Sequence, residues 1–178
     1  MIRICDITFS LVGMVLLSPL LLVLYLIGIF DTGDPIFRQP RIGQYKNLFT
    51  IKKFRSMDRE ALSVATHLAD FSKITRYGVF LRTTKLDELP QLWNVFVGEM
   101  SIVGPRPCLT TQFELIKLRE SLGVFSVKPG ITGLAQLRGV NMSTPEEVSR
   151  LDAEMISKFN LKIYLWCICQ TLLAVLKR

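Results

Sequence analysis

Histidine is nearly absent from this 178-residue chain: His67 is alone, in a polar stretch, with no neighbour that would make it a ligand or a base. The four cysteines, Cys5, Cys108, Cys167 and Cys169, contain no Cys-x-x-Cys pair. Together these absences exclude the usual zinc spacings, and the cysteines read as reduced structural thiols facing a cytoplasm. There is no internal repeat, no low-complexity tract and no recognised nucleic-acid motif, so nucleic acid is not expected as a partner. Acidic residues are also in deficit, 15 against 22 lysines and arginines, for a net charge of +7. From Ile7 to Phe30 charge is missing altogether.

That gap explains a mean hydropathy of +0.35 in a chain with 21% charged residues: the apolar residues are concentrated in one run. The run exceeds the roughly 20 residues a helix needs to cross a hydrocarbon core. It is a poor signal peptide, because its apolar region is too long and no small-x-small cleavage site closes it. Pro19 argues against a straight helix. It lacks an N–H, and its ring clashes with the carbonyl of Val15, which then needs another partner such as the Ser18 hydroxyl. A bend at Ser18-Pro19 lets the chain enter and leave by one face. On the residues alone, a re-entrant segment and a kinked span both remain open. Arg3 flanks one end beside Asp6, and Arg38, Arg41, Lys46, Lys52 and Lys53 follow the other, which places the polar part on the cytoplasmic side. A basic protein there meets anionic lipids and phosphorylated ligands.

Beyond the turn at Asp31-Thr32-Gly33-Asp34-Pro35, two β-rich runs, 36–39 and 48–55, flank a glycine-containing turn and predict a hairpin. Residues 58–72 read as a loop or surface helix, and 74–81 as short and mixed. Residues 87–96 predict a helix with Leu89, Leu92, Trp93 and Phe96 on one core-facing side. Pro90 is tolerated only in the first turn, which puts Asp87 at or beside the N-cap. Further helices are expected over 110–122, from Pro145 onward, and over 161–176, the last interfacial or packed. Lys128 to Gly133 reads as a turn-rich loop. The fold class expected is α+β, mostly helical, with one small β-hairpin and amphipathic interfacial helices.

Reactive groups are densest from Lys73 to Glu88: Lys73, Arg76, Arg82, Lys85, Asp87 and Glu88. Adjacent carboxylates at a helix start point apart, so Asp87 and Glu88 can divide labour between a substrate and a metal, or serve as an ordinary cap and a solvated acid. Prolines on both sides of Arg106 hold its backbone extended, a good mount for a phosphate-binding guanidinium. Lys53 and Arg55 alternate around Phe54 and line either an anionic site or the wet face of a hairpin.

Five blocks in order resemble the bacterial sugar transferase family, the monotopic polyprenyl-phosphate glycosyl-1-phosphate transferases. They are Gly33-Asp34-Pro35-Ile36-Phe37-Arg38-Gln39 with Arg41-Ile42-Gly43; Lys53-Phe54-Arg55-Ser56-Met57; Leu86-Asp87-Glu88-Leu89-Pro90-Gln91-Leu92-Trp93-Asn94-Val95; Met100 to Pro107; and Lys128 to Gln136. The chain looks like the small form of that family. The resemblance implies a re-entrant membrane helix over 1–32 broken at Ser18-Pro19, and a catalytic domain over 33–178 on the cytoplasmic face of a bacterial inner membrane. It implies transfer of sugar-1-phosphate from a UDP-sugar, N-acetylated sugars among them, to polyprenyl phosphate, with UMP as the second product. By matching position Asp87 is the nucleophile and Glu88 holds Mg²⁺. Arg82, Arg106, Lys53 and Arg55 bind substrate phosphate. Asp152 supports the site. Leu134, Arg138-Gly139 and Ala153-Glu154-Met155 depart from the family pattern, and bear on sugar choice and membrane packing. A membrane-anchored phosphohydrolase and a non-catalytic basic adaptor are the competing readings. No residue selects the sugar, and oligomeric state is left open.

Overall fold

In the computed structural model, residues 1–59 and 71–176 are described; His67 and the expectation for 60–70 lie outside them. The apolar run forms two helices, α1 (Ile2–Leu16) and α2 (Ser18–Thr32), meeting at Leu17 with a bend of 65°. The bend has the anticipated chemistry. Pro19 sits in the first turn of α2, and the Ser18 hydroxyl donates to the Val15 carbonyl at 2.8 Å. No described helix alone is long and apolar enough to cross a membrane.

Both outer ends of this bent pair are fastened to the polar body. At the start of α1, Arg3 donates to the carbonyls of Val95 and Phe96 at 2.6 and 2.7 Å. Buried Asp6 accepts on one oxygen from the Ser101 hydroxyl, the Ile102 amide and the Tyr164 hydroxyl, at 2.9, 2.9 and 2.8 Å. At the end of α2, Gly33 adopts φ +72°, a left-handed cap that suits glycine. Asp31 then accepts from the Thr75 hydroxyl and the Leu24 carbonyl from Tyr77. The bend region faces outward, with Leu16 73% exposed and Leu22 59% exposed.

The hairpin pairs β1 (Ile36–Ile42) with β2 (Leu48–Phe54) antiparallel, from Ile36 opposite Phe54 to Ile42 opposite Leu48. Strand alternation puts Phe49, Ile51 and Lys53 on one face of β2. Phe49 and Ile51 join Val95 and Met100 in a core cluster, so Lys53 occupies what is otherwise a core position. Phe54 points the other way, onto Leu24 and Leu81. Next come α3 (Arg76–Thr84) and α4 (Gln91–Val97). The 74–81 stretch is thus mostly helical, begun at Thr75, whose side chain caps the Gly78 amide. Gly78 is required by contact: a Cβ there would lie 1.9 Å from the Ser56 carbonyl oxygen.

Asn94 on α4 inserts its amide against β2, accepting from the Lys52 amide and donating to the Thr50 carbonyl. This rotates α4 relative to the sequence expectation. Its buried residues are Gln91, Asn94 and Val95, while Trp93 is 46% exposed with Lys52 over its ring, not core.

A second correction concerns Lys128 to Gly133. Gly130–Thr132 is a strand, β4, parallel to β3 (Ser101–Val103). Glycine permits this: a Cβ on Gly130 would lie 2.0 Å from the Gly104 amide nitrogen. The Pro105-Arg106-Pro107 loop leaves the end of β3. Behind it stand α5 (Phe113–Ser121), the short α6 (Leu134–Leu137), α7 (Pro145–Ser157) opened by Pro145, and α8 (Leu161–Leu176). α8 buries Tyr164 and Cys167 and exposes Leu165, Trp166, Leu172 and Leu173, an amphipathic division.

Candidate active site

Asp87 is not a helix cap. Lys85 ends α3 in a left-handed conformation (φ 61°, ψ 15°), and Leu86–Glu88 follow as a separate 3₁₀ turn before α4. The chain must reverse there, and the tighter turn accomplishes it. In three-residue turns, adjacent side chains diverge by about 120°. Asp87 and Glu88 therefore meet different surroundings.

Glu88 accepts on Oε1 from both Lys53 Nζ and Arg106 Nη2, each at 2.7 Å. Strand β2, the turn and the Pro-Arg-Pro loop converge on this one oxygen. Burial alone would push Glu88 up, but Arg106 and Lys53 outweigh it and hold the carboxyl well below the usual range. Glu88 raises Arg106 in return, whereas burial lowers Lys53 despite its partner. Lys53 and Glu88 are mostly covered; Arg106 keeps 37% of its side chain open.

Asp87 has the opposite character. Its Oδ1 is buried with no hydrogen-bond partner among the described residues. Burial raises its pKa, partly offset by Lys53 and reinforced by Glu88. Arg82 donates from Nε to the Ser56 hydroxyl at 2.8 Å, and its charge acts on Asp87. Lys53, Arg82, Glu88, Asp87 and Arg106 are thus brought together.

Arg55 goes elsewhere. It pairs with Asp34 at 2.7 Å and lies over the Phe37 ring, bracing the exit from α2. Asp152 is fully buried and pairs with Arg119 at 2.6 Å; Arg119 in turn donates to the Arg106 carbonyl. Ser18 and Pro19 lie at the bend. Two residues escaped the sequence reading. Arg119 was hidden in an expected helix, although its spacing of four from Leu115 marks it as sharing a buried face. Arg41, read there as flanking charge and as part of the first motif block but given no role, donates to the Pro107 carbonyl at 3.1 Å and the Gln39 side chain at 2.5 Å. Burial and then Arg106 push it down to about 10.

The chemistry available is that of an anion site. Cations outnumber the carboxylates, and one carboxylate carries a lone pair that nothing engages. No group of three metal-ligating residues exists among the described residues. Magnesium does not need one, since it commonly uses one or two carboxylates together with substrate phosphates and waters. Glu88, anionic and with both of its cations on Oε1, is one such carboxylate.

The bacterial sugar transferase family matches residues 1–178. Similar proteins include a UDP-galactose-lipid carrier transferase of Erwinia amylovora, 37% identical over 96% of this chain and 40% of that protein. An uncharacterized sugar transferase of Bacillus subtilis, EpsL, is 34% identical over 98% of this chain and 86% of its own length. A UDP-glucose:undecaprenyl-phosphate glucose-1-phosphate transferase of Caulobacter vibrioides is 36% identical, covering 98% and 67%. The chain spans about two fifths of the Erwinia protein's length, and between 30% and 41% of the length of most of the other curated relatives it matches.

Proposed function

From the premise that the chain belongs to the bacterial sugar transferase family, we propose that it is an enzyme moving sugar-1-phosphate from a UDP-sugar to a polyprenyl phosphate, releasing UMP and starting a membrane glycoconjugate. The observation carrying this reading is the orphaned, buried Asp87 oxygen beside the Glu88–Lys53–Arg106 cluster. Leaving a buried acceptor unsatisfied costs about 1–3 kcal/mol, which is sensible where the lone pair must react.

The reaction has two displacements. The Asp87 carboxylate attacks the sugar-linked phosphorus; the bond from that phosphorus to the bridging oxygen breaks, and UMP leaves with the electron pair. An oxygen of polyprenyl phosphate then attacks the same phosphorus, giving polyprenyl diphosphate-sugar and freeing Asp87. Arg106 and Arg82 bind phosphate oxygens, and Lys53 keeps Glu88 anionic. Magnesium, when held by Glu88, supplies neutralising charge for the diphosphate.

Catalytic release of UMP that requires polyprenyl phosphate, measured across UDP-glucose, UDP-galactose and their N-acetylated forms, is the expected result. Sustained UMP release without lipid would mark a phosphohydrolase, and none with any donor would favour an adaptor.

The same reading puts α1 and α2 into one leaflet of a bacterial inner membrane as a re-entrant pair, with the basic body against anionic lipids on the cytoplasmic face. Its support is that Arg3 and Asp6 at one end, and Asp31 and Asp34 at the other, bond to the same polar body. A cysteine added before Met1 is expected to resist membrane-impermeant thiol reagents in intact cells and to label once the membrane is opened. Labelling in intact cells would put the N-terminus outside and sink the re-entrant arrangement.

A further inference from the structure

We propose that Arg41 and Arg119 are positioning residues that aim Arg106, and that buried Asp152 acts on the reaction through Arg119; this rests on the reading of Arg106 as a ligand for the donor's phosphate.

Backbone bonds pin the Pro105-Arg106-Pro107 loop at its two ends, where the Pro105 carbonyl accepts from the Gly130 amide at 2.9 Å and the Cys108 carbonyl from the Ile42 amide at 3.0 Å; its middle, the carbonyls of Arg106 and Pro107, is left to side chains. The loop follows the three-residue strand β3, and the space behind it is a cavity of about 10 Å³, room for roughly one water, lined by Ile42, Phe125, Val127 and Pro129 along with Arg119. Proline rings fix φ at Pro105 and Pro107 but do not fix where the loop lies. Two guanidiniums from different elements hold its middle. Arg119 of α5 donates Nη1 to the Arg106 carbonyl at 2.7 Å. Arg41 of β1 donates Nη1 to the Pro107 carbonyl at 3.1 Å. Successive carbonyls are thus gripped from two sides, leaving the Arg106 side chain to reach Glu88 and keep over a third of its surface open.

The grip is expensive in electrostatic terms, which argues that it has a use. Arg41 and Arg106 repel one another, and Arg41 is lowered by burial and by that repulsion. Arg119 is 2% exposed and pairs with Asp152, which is fully buried and whose side chain makes no other hydrogen bond among the described residues. A backbone carbonyl would accept equally well from a neutral donor. A charged, two-pronged donor adds direction: one nitrogen of Arg119 holds Asp152 and the other holds the loop, so α7 is linked rigidly to Arg106. Neither Arg41 nor Asp152 hydrogen-bonds to Glu88 or Asp87; the Arg41 charge reaches Glu88 only through space.

The test is a double-mutant cycle on UDP binding in the presence of Mg²⁺, by calorimetry on the full chain in detergent or nanodiscs. Arg106→Ala and Arg119→Lys are each expected to weaken UDP about tenfold or more. The double variant is expected to be no weaker than Arg106→Ala alone, because Arg119 acts only through that residue. Asp152→Asn should reproduce the Arg119→Lys defect. An additive double variant, or normal UDP affinity in Arg119→Lys, overturns the positioning role. Normal affinity in Arg106→Ala overturns the phosphate-binding reading beneath it. If Arg119→Lys does not fold, Arg41→Lys, at a partly exposed position, enters the same cycle with the same expectation.

Discussion

Asp87→Asn is expected to abolish turnover, by about 10⁴-fold or more, and to make the protein more stable at neutral pH. The first part follows from the loss of a nucleophile that the neutral amide cannot replace. With a donor that supports turnover and Mg²⁺ but no lipid, intact wild-type protein should gain the mass of one phosphosugar, and the variant should gain nothing. The second part follows from the direction of the Asp87 shift. Its folded-state pKa is raised above the ordinary 3.8, chiefly by burial. The folded state therefore binds the proton more tightly than the unfolded one, so wild-type stability declines as pH rises from about 4 through the raised value. Asparagine carries no such penalty. The melting temperature of the variant is therefore expected to exceed that of wild type at pH 8, with the gap closing as pH falls towards 4. Glu88 has the opposite sign: its contribution is present above about 4.5 and is lost only as pH falls through its depressed folded value, in both proteins alike. Melting curves between pH 4 and 8 decide this. A variant less stable than wild type at pH 8, or one retaining more than about a hundredth of the turnover, would contradict the assignment of Asp87.

Asp6→Leu should produce the largest loss of stability of any single change, about 3–5 kcal/mol, or a melting temperature lower by ~10 °C or more. One buried carboxylate oxygen receives the Ser101 hydroxyl, the Ile102 amide and the Tyr164 hydroxyl, drawn from β3 and α8. Leucine removes the acceptor and strands three donors in a site that water does not reach. Asp6→Asn keeps an acceptor oxygen and should cost only about 1 kcal/mol. Because Asp6 also fastens α1 to the polar body, Asp6→Leu should expose the N-terminal helix pair to limited proteolysis before the rest of the chain. Equal stability and equal protease resistance in Asp6→Leu and wild type would show that α1 is held by Arg3 and its apolar contacts rather than by Asp6.

Much of the architecture was legible locally because its causes are local. The bend required only Pro19, its missing N–H and a hydroxyl at Ser18. The hairpin followed from β-rich runs around a glycine turn, and the helix from Pro145 to Ser157 from a proline that suits a first turn. The charge surplus and the apolar run are properties of composition. Five motif blocks were enough to indicate the family and Asp87, Glu88, Lys53, Arg82 and Arg106 as a group.

What failed had distant causes. Lys128 to Gly133 has the composition of a turn and becomes a strand only because Gly104 and Gly130 let two backbones touch. Trp93 has the spacing of a core residue but is turned outward because Asn94 takes the edge of β2. Lys53 and Arg55 are equivalent by alternation, yet one meets Glu88 and the other Asp34, since the chain leaves the strand between them. Arg119 and Arg41 carry no sequence mark of their task, because a guanidinium reads as solvent-facing until a buried carboxylate or carbonyl is known to await it. The sequence by itself determined the bent apolar pair, the hairpin and which charged residues gather around Asp87 and Glu88, through backbone chemistry, residue type and the motif blocks. Only the tertiary structure decided which cation meets which carboxylate, left one Asp87 oxygen without a partner and tied Asp152 to Arg106, because those depend on long-range packing that no local pattern encodes.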